Sequence, residues 1–216
     1  MIIRKYQPKD RSRVEYIHFE TFLIGKSIRP FVNDQKRFDE EIKYYLDKEP
    51  ESCFVVEDKS KVVGYLLGCL DDKKNDEGTV KYFLKHLIIL FQLPFMSSKD
   101  IKFCWSRIKY IIYAIFQNSD EKNFKVPKDS SHLHINLLPK ARGSGVGTKL
   151  LKAFFKYAKS KGVKTIHADS WQTRLNPNKN FWIKNGFKEY CKVKTKFWNT
   201  YYPNEDIGLV CYIKKL

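Results

Sequence analysis

Alternation and helical periodicity divide the chain into short strands and amphipathic helices in mixed order. Residues 2–6 read as a strand, and Pro8-Lys9-Asp10 then supplies a turn and an N-cap for a helix running toward Phe22. Asp34 stands where an N-cap would for a second helix, whose apolar positions Phe38, Ile42, Tyr45 and Leu46 share one face. After Pro50, CFVVE and VVGYLLGCL are apolar runs on either side of a polar turn at 58–61, the pattern of a hairpin. HLHINLL, 132–138, reads as a strand ended by Pro139. Leu150, Leu151, Phe154, Phe155 and Ala158 then line one face of a helix that Gly162 stops. VKTIHAD, 163–169, is the next strand, NPNKNFWIKNG a short helix closed by Gly186, and strand-like runs near 187–198 and 206–213 complete the chain. This order predicts a mixed α/β (α+β) fold.

Between the hairpin and the strand at 132 lies a stretch of some 60 residues that is neither low in complexity nor loop-like. It contains LIILFQLPFM, 87–96, and a run in which Ile101, Trp105, Ile108, Ile112 and Ile115 recur at helical spacing. About two helices are expected, as an insertion over 72–130 within a single domain spanning 1–216. An ordered insertion of this length forms a lid, a pocket wall or a subunit contact, and it keeps a homodimer open.

Composition narrows the class. With 216 residues, 43% hydrophobic, the chain can bury one sizeable core. The longest uncharged run, 86–98, is too short to span a bilayer and carries Pro94, and the N-terminus has no signal-peptide pattern, so a cytoplasmic protein is expected. Five cysteines without a CxxC pair suit reduced thiols, and no metal is expected. The formal net charge is +17, and residues 131–216 hold 17 Lys or Arg against 4 Asp or Glu. The basic field is therefore concentrated where an anionic ligand would be held. Charge alone, without a reading motif, predicts no nucleic-acid partner.

The centre of that region is ARGSGVG, 141–147, directly before the helix. Its spacing is GxGxG, so it lacks the dinucleotide fingerprint GxGxxG, and Gly147-Thr148-Lys149 has the wrong order for a nucleotide-triphosphate loop. What remains is a glycine loop whose N–H groups, at a helix start, suit a pyrophosphate.

Arg142-Gly143-Ser144-Gly145-Val146-Gly147, after a strand ending Leu-Leu-Pro, resembles the Arg/Gln-x-x-Gly-x-Gly/Ala motif of the GNAT superfamily of N-acetyltransferases. FWIKNGF, 181–187, resembles that family's Phe-Tyr-x-x-x-Gly-Phe, and FVVEDKSKVVGYLLG its second and third strands. The resemblance implies a twisted, mostly antiparallel sheet flanked by helices, its central strands splayed apart, with 131–190 as the acetyl-CoA-binding core. It implies acetyl-CoA as cosubstrate, with the pyrophosphate on the amides of Arg142, Gly143, Ser144, Gly145, Val146, Gly147 and Thr148. The pantetheine arm would lie beside Leu137 and Leu138, and Asn176 or Asn178 would touch it.

The implied reaction is transfer of an acetyl group to an amine of a small molecule or peptide, by direct attack on the thioester. The alternative is a non-catalytic acyl-CoA-binding or regulatory protein of the same fold. The Leu137 N–H is the expected oxyanion donor. His132, His134 and Asn136 alternate along one face of their strand, and His134 is the expected base, acting through a water. Trp182 stands where the family often has Tyr, and an indole donates a hydrogen bond but no proton, so water or a residue such as Tyr190 would have to protonate the thiolate.

Overall fold

The computed structural model describes residues 1–70, 96–116, 120–174 and 178–216. Strands β1 (Ile2–Lys5), β2 (Phe54–Asp58), β3 (Lys61–Cys69), β4 (Ser131–Leu137), β5 (Thr165–Gln172), β6 (Lys188–Lys194) and β7 (Gly208–Lys215) form one sheet in the order β1-β2-β3-β4-β5-β7-β6. Every neighbouring pair is antiparallel except β4 and β5. Their parallel pairing is confined to Ser131↔Ile166 and His132↔His167, after which the two strands part. The expected class and the expected central splay are both present.

Two layers of helix cover the sheet. On one face, α1 (Arg11–Thr21) and α2 (Lys36–Lys48) bury Val14, Ile17, Ile42, Tyr45 and Leu46 against Val55, Tyr65 and Leu67. After α3 (Ser98–Phe116), α4 (Val146–Ser160) covers the opposite face, packing Leu150, Leu151 and Phe154 onto Leu66, Leu133 and Ile166. Gly68 makes this approach feasible, because a Cβ there would lie 2.1 Å from the Phe154 ring. The short α5 (Lys179–Lys184) adds Trp182 to the same core. Because β-strand side chains alternate, His132, His134 and Asn136 face the α1/α2 layer, and the register with β5 places His167 and Asp169 on that face too.

The insertion is only partly described, since 71–95 and 117–119 lie outside the described residues. Its α3 docks on a different face from the one the periodicity predicts: Trp105 is 49% and Ile112 51% exposed, while Asp100, Cys104 and Arg107 are buried. Polar contacts set this orientation. Asp100 Oδ1 accepts from the backbone N–H of Asn33 (2.9 Å), and the Arg107 guanidinium stacks 3.8 Å from the centre of the Phe197 ring and 4.6 Å from that of Trp198. None of the five cysteines, all among the described residues, is in a disulfide. No helix among the described residues is long and apolar enough to cross a membrane.

A buried ion pair fixes the first strand to α1. Arg4 grips both carboxylate oxygens of Asp10 (2.6 and 2.8 Å) and also reaches Glu57, while Asp10 accepts the N–H of Gln7 (2.9 Å) and is 5% exposed. Burial alone would raise the Asp10 carboxyl, but the Arg4 guanidinium and the Gln7 N–H outweigh it and hold it below the usual carboxylate range. Its stabilisation is therefore present above the unfolded carboxylate value and is lost as the pH falls through the lower folded one. Asp10→Ala leaves Arg4 short of its partner and is expected to lower the unfolding free energy by about 3 kcal/mol, whereas Glu57→Ala costs under about 1 kcal/mol. Urea titration of the two variants at neutral pH checks this ordering.

Candidate functional site

Backbone direction along β4 decides what the splay exposes. Leu138 donates its N–H to Val63 (2.9 Å), and hydrogen-bond direction alternates in an antiparallel ladder. Asn136 and His134 therefore also bond toward β3, while Leu133, Ile135 and Leu137 turn their main-chain groups toward β5. Where β5 has diverged, those groups face a gap. That gap belongs to a cleft of about 470 Å³ lined by β4, the glycine loop, Ser170 and Trp171 of β5, and Phe181 and Trp182 of α5.

The glycine loop enters α4 through two left-handed residues, Gly143 (φ 76°) and Gly145 (φ 77°), a conformation that costs other residues about 1–2 kcal/mol. Gly147 serves a different purpose: a Cβ there would come within 3.1 Å of the Phe181 ring. The Arg142 N–H is used by the Pro139 carbonyl (3.1 Å), so the outward cradle runs from Gly143 to Thr148, including the first-turn amides that a helix leaves without intrahelical partners. The Arg142 side chain is a tie. Its guanidinium donates to the carbonyls of Leu137 (2.9 Å) and Gly25 (2.6 Å), joining the end of β4 to the turn after α1.

The cleft gathers His134, Leu137, Arg142, Gly143, Gly145, Gly147 and Thr148. Leu138, Ser144 and Val146 are not on its wall: Leu138 is packed in the α1/α2 core, and the Ser144 hydroxyl donates to Ala141 (2.8 Å). Asn176 lies outside the described residues. Tyr190 is 49% exposed on β6, at the sheet edge and away from the cleft, so it is not placed to protonate a leaving group there.

Four buried side-chain atoms on cleft-lining residues, His18 Nε2, Asn178 Oδ1, Trp182 Nε1 and Trp198 Nε1, make no hydrogen bond to any described residue, and two of them stand at α5 beside the gap. Trp182 is 4% exposed and stacks on Tyr212, yet its Nε1–H has no acceptor. Asn178 donates from Nδ2 to Ser170 (2.6 Å) and the Trp171 carbonyl (3.1 Å), leaving its Oδ1 without a donor. A buried polar atom without a partner costs free energy, so this pair asks for a ligand that both accepts and donates.

On the α1/α2 side, the fully buried Tyr65 hydroxyl is a hub that sequence reading did not find. It accepts from Asn136 Nδ2 (2.9 Å) and lies 3.0 Å from His18 Nδ1 and 3.4 Å from His134 Nδ1. One hydroxyl has one proton and two lone pairs. The assignment that satisfies all three neighbours has Tyr65 donating to His18, the nearer ring, and accepting from Asn136 and from His134 Nδ1–H. His134 Nε2 then carries a lone pair, and His18 Nε2–H is turned to Glu41, 3.6 Å away. The available signal was a lone phenol within the apolar run VVGYLLGC, since a buried tyrosine hydroxyl needs a partner.

Burial, reinforced by the rings of His18 and His132, holds His134 well below the usual imidazole value. Burial and the neighbouring His167 push His132 down to about 3, and burial lowers His167 to about 4. All three are neutral at neutral pH. The remaining wall is aromatic, with Phe22, Trp171, Phe197 and Trp198, and Glu41 stands at its margin.

Comparison with known proteins agrees with this geometry. The model of the acetyltransferase (GNAT) domain family matches residues 107–189, from within α3 to the start of β6. No curated protein sequence matches the chain. Among solved structures, SsHAT is 23% identical, covering 99% of this chain and 97% of its own, with a TM-score of 0.63. The ribosomal-protein-alanine N-acetyltransferase of Brucella melitensis is 15% identical over 100% of both chains, with a TM-score of 0.55. The structure of yncA from Salmonella typhimurium with its cofactor acetyl-CoA is 15% identical over 100% of this chain and 94% of its own, with a TM-score of 0.56. These likenesses are of fold: the chain has the fold of the GNAT acetyltransferases, and its residues 107–189 match that domain's family model.

Proposed function

We propose that this chain transfers an acetyl group from acetyl-CoA to an amine of a small molecule or peptide. The observation that carries the reading is the pair of buried, unpartnered atoms, Trp182 Nε1 and Asn178 Oδ1, on the wall of a gap that opens onto the glycine loop. An arm made of amides and a thioester, ending in a pyrophosphate, has the chemistry to satisfy both ends of that gap.

Acetyl-CoA supplies the activated acetyl thioester, and the rest of the chemistry falls to this chain. Amides from Gly143 to Thr148 hold the pyrophosphate, aided by the positive end of α4. Asn178 Oδ1 accepts an N–H of the arm. The Leu137 N–H, held rigid in β4, meets the carbonyl oxygen as it gains negative charge. His134 Nε2 accepts the proton of the attacking amine. Its basicity is low, but attack makes the nitrogen a much stronger acid, so a weak, neutral base is sufficient. Trp182 Nε1–H can donate a hydrogen bond to the departing sulfur, and water supplies the proton that an indole cannot. The aromatic wall and Glu41 suit an amine that is cationic in solution and has an apolar body.

The test follows free thiol while the protein is incubated with acetyl-CoA and a broad panel of amines. Thiol release that requires an amine is the expected result. Micromolar affinity for acetyl-CoA without release from any amine would favour the alternative, a non-catalytic acyl-CoA-binding protein of this fold. Absence of affinity would remove acetyl-CoA itself.

A further inference from the structure

At the point where β4 and β5 part, His132, His167 and Asp169 project from the same face of the sheet, and one ligand atom from each lies within 4.8 Å of the others. We propose that these three residues bind a divalent transition metal of the zinc class. Neither the acetyl transfer derived above nor the family comparison uses them in this way.

The second contacts of the histidines support the assignment. His132 Nδ1 is 2.7 Å from the Tyr45 hydroxyl of α2, and His167 Nδ1 is 2.8 Å from the Ser130 hydroxyl. Ser130 spends its one proton on the Pro127 carbonyl (2.7 Å), so towards His167 it can only accept. His167 is therefore the Nδ1–H tautomer, and the nitrogen with the lone pair is Nε2. The Tyr45 hydroxyl orients the His132 ring through Nδ1 from its own side, leaving Nε2 directed away from it. An outer hydrogen bond that sets tautomer and ring orientation is the usual support of a metal-binding histidine.

The ligand types choose the metal. Two imidazoles and one carboxylate suit zinc, cobalt or nickel, whereas magnesium and calcium prefer sites made wholly of oxygen. Ligand atoms around a tetrahedral zinc stand roughly 3.3 Å apart, given bonds of about 2 Å, so closure asks for movements of about an ångström. Two of the three residues are held in place already: His167 is 1% exposed, and the His132 and His167 rings lie 4.9 Å apart, centre to centre. Asp169 is exposed and completes the set from the cleft side. A metal here would staple β4 to β5 at their last paired position, directly before the splay, and so fix where the gap begins.

The experiment uses the full chain without a histidine tag, stripped with chelator, and titrates it with Co²⁺ and Zn²⁺. Bound Co²⁺ is expected to give visible d–d absorption of tetrahedral intensity at one equivalent, displaced by Zn²⁺, and Zn²⁺ is expected to raise Tm. Asp169→Asn, an exposed change that leaves the fold intact, should lose the bands and the Tm shift, and Tyr45→Phe should weaken binding by about 10- to 100-fold as an outer partner does. A chain that binds no Co²⁺ at one equivalent, or an Asp169→Asn variant that binds it as the parent does, would overturn the assignment.

Discussion

Gly145→Glu is expected to weaken acetyl-CoA binding at least about 100-fold, or about 2.7 kcal/mol, while the protein stays folded. The site explains both halves. A Cβ on Gly145 has no atom within 4 Å, so a side chain meets open space in the free protein. The cost to the fold is the left-handed backbone at φ 77°, about 1–2 kcal/mol. The cost to binding is electrostatic. A carboxylate about 4 Å from a phosphate repels it by about 4 kcal/mol at an effective dielectric constant of 20, and it also competes for the loop amides. Gly145→Ala separates the two effects, since it carries the backbone strain without the charge and should bind within about tenfold of the parent. Calorimetry with acetyl-CoA on the parent and both variants is the measurement. Equal affinity in the parent and Gly145→Glu would show that the loop does not hold the phosphates.

The loop was legible in the sequence because its function is local: two residues need positive φ, one needs close approach, and all lie within five positions. The alternation of HLHINLL was legible for the same reason, and it placed His132, His134 and Asn136 on one face. What joins those residues was not. The Tyr65 hydroxyl reaches His18 and His134 across 47 and 69 residues of sequence, and only the register of β3 with β4 and the docking of α1 bring the three together. The same holds for His132 and His167, neighbours solely because β4 and β5 pair at that one register before parting.

Helix α3 shows where periodicity misleads. Counting apolar positions selects Trp105 and Ile112, yet the helix is held by Asp100, which satisfies backbone N–H groups after α1, and by Arg107, which lies over aromatic rings. A polar residue with a specific partner can outweigh an apolar stripe, and the pattern of hydrophobic residues carries no record of the partner. Arg142 gives the reverse lesson. Its motif position suggests a phosphate ligand, but its guanidinium binds two carbonyls and its main-chain N–H a third. Its part in the site is to hold the end of β4 against the turn after α1, which keeps the Leu137 N–H turned into the gap.

His134→Gln is expected to lower kcat for the best acceptor amine by about 100- to 10,000-fold, the usual range for loss of a general base, with acetyl-CoA affinity unchanged. Glutamine can still donate to Tyr65 Oη from its amide, so the hub keeps its hydrogen bond, while the lone pair of His134 Nε2 is replaced by an oxygen too weakly basic to take a proton. A residue important only for packing would behave differently: its loss would lower Tm and weaken acetyl-CoA binding together with turnover. Tyr65→Phe provides the second arm. It removes the acceptor that orients His134, leaves the imidazole in place, and should therefore reduce kcat by less than His134→Gln does. It also leaves Asn136 Nδ2 and His18 Nδ1 without their shared partner in a buried setting, so it should destabilise the fold by about 1–3 kcal/mol. Steady-state kinetics, calorimetry and thermal unfolding on the two variants read these effects separately. Turnover in His134→Gln equal to the parent would move the proton acceptor elsewhere on the cleft wall, with Glu41 as the next group to test.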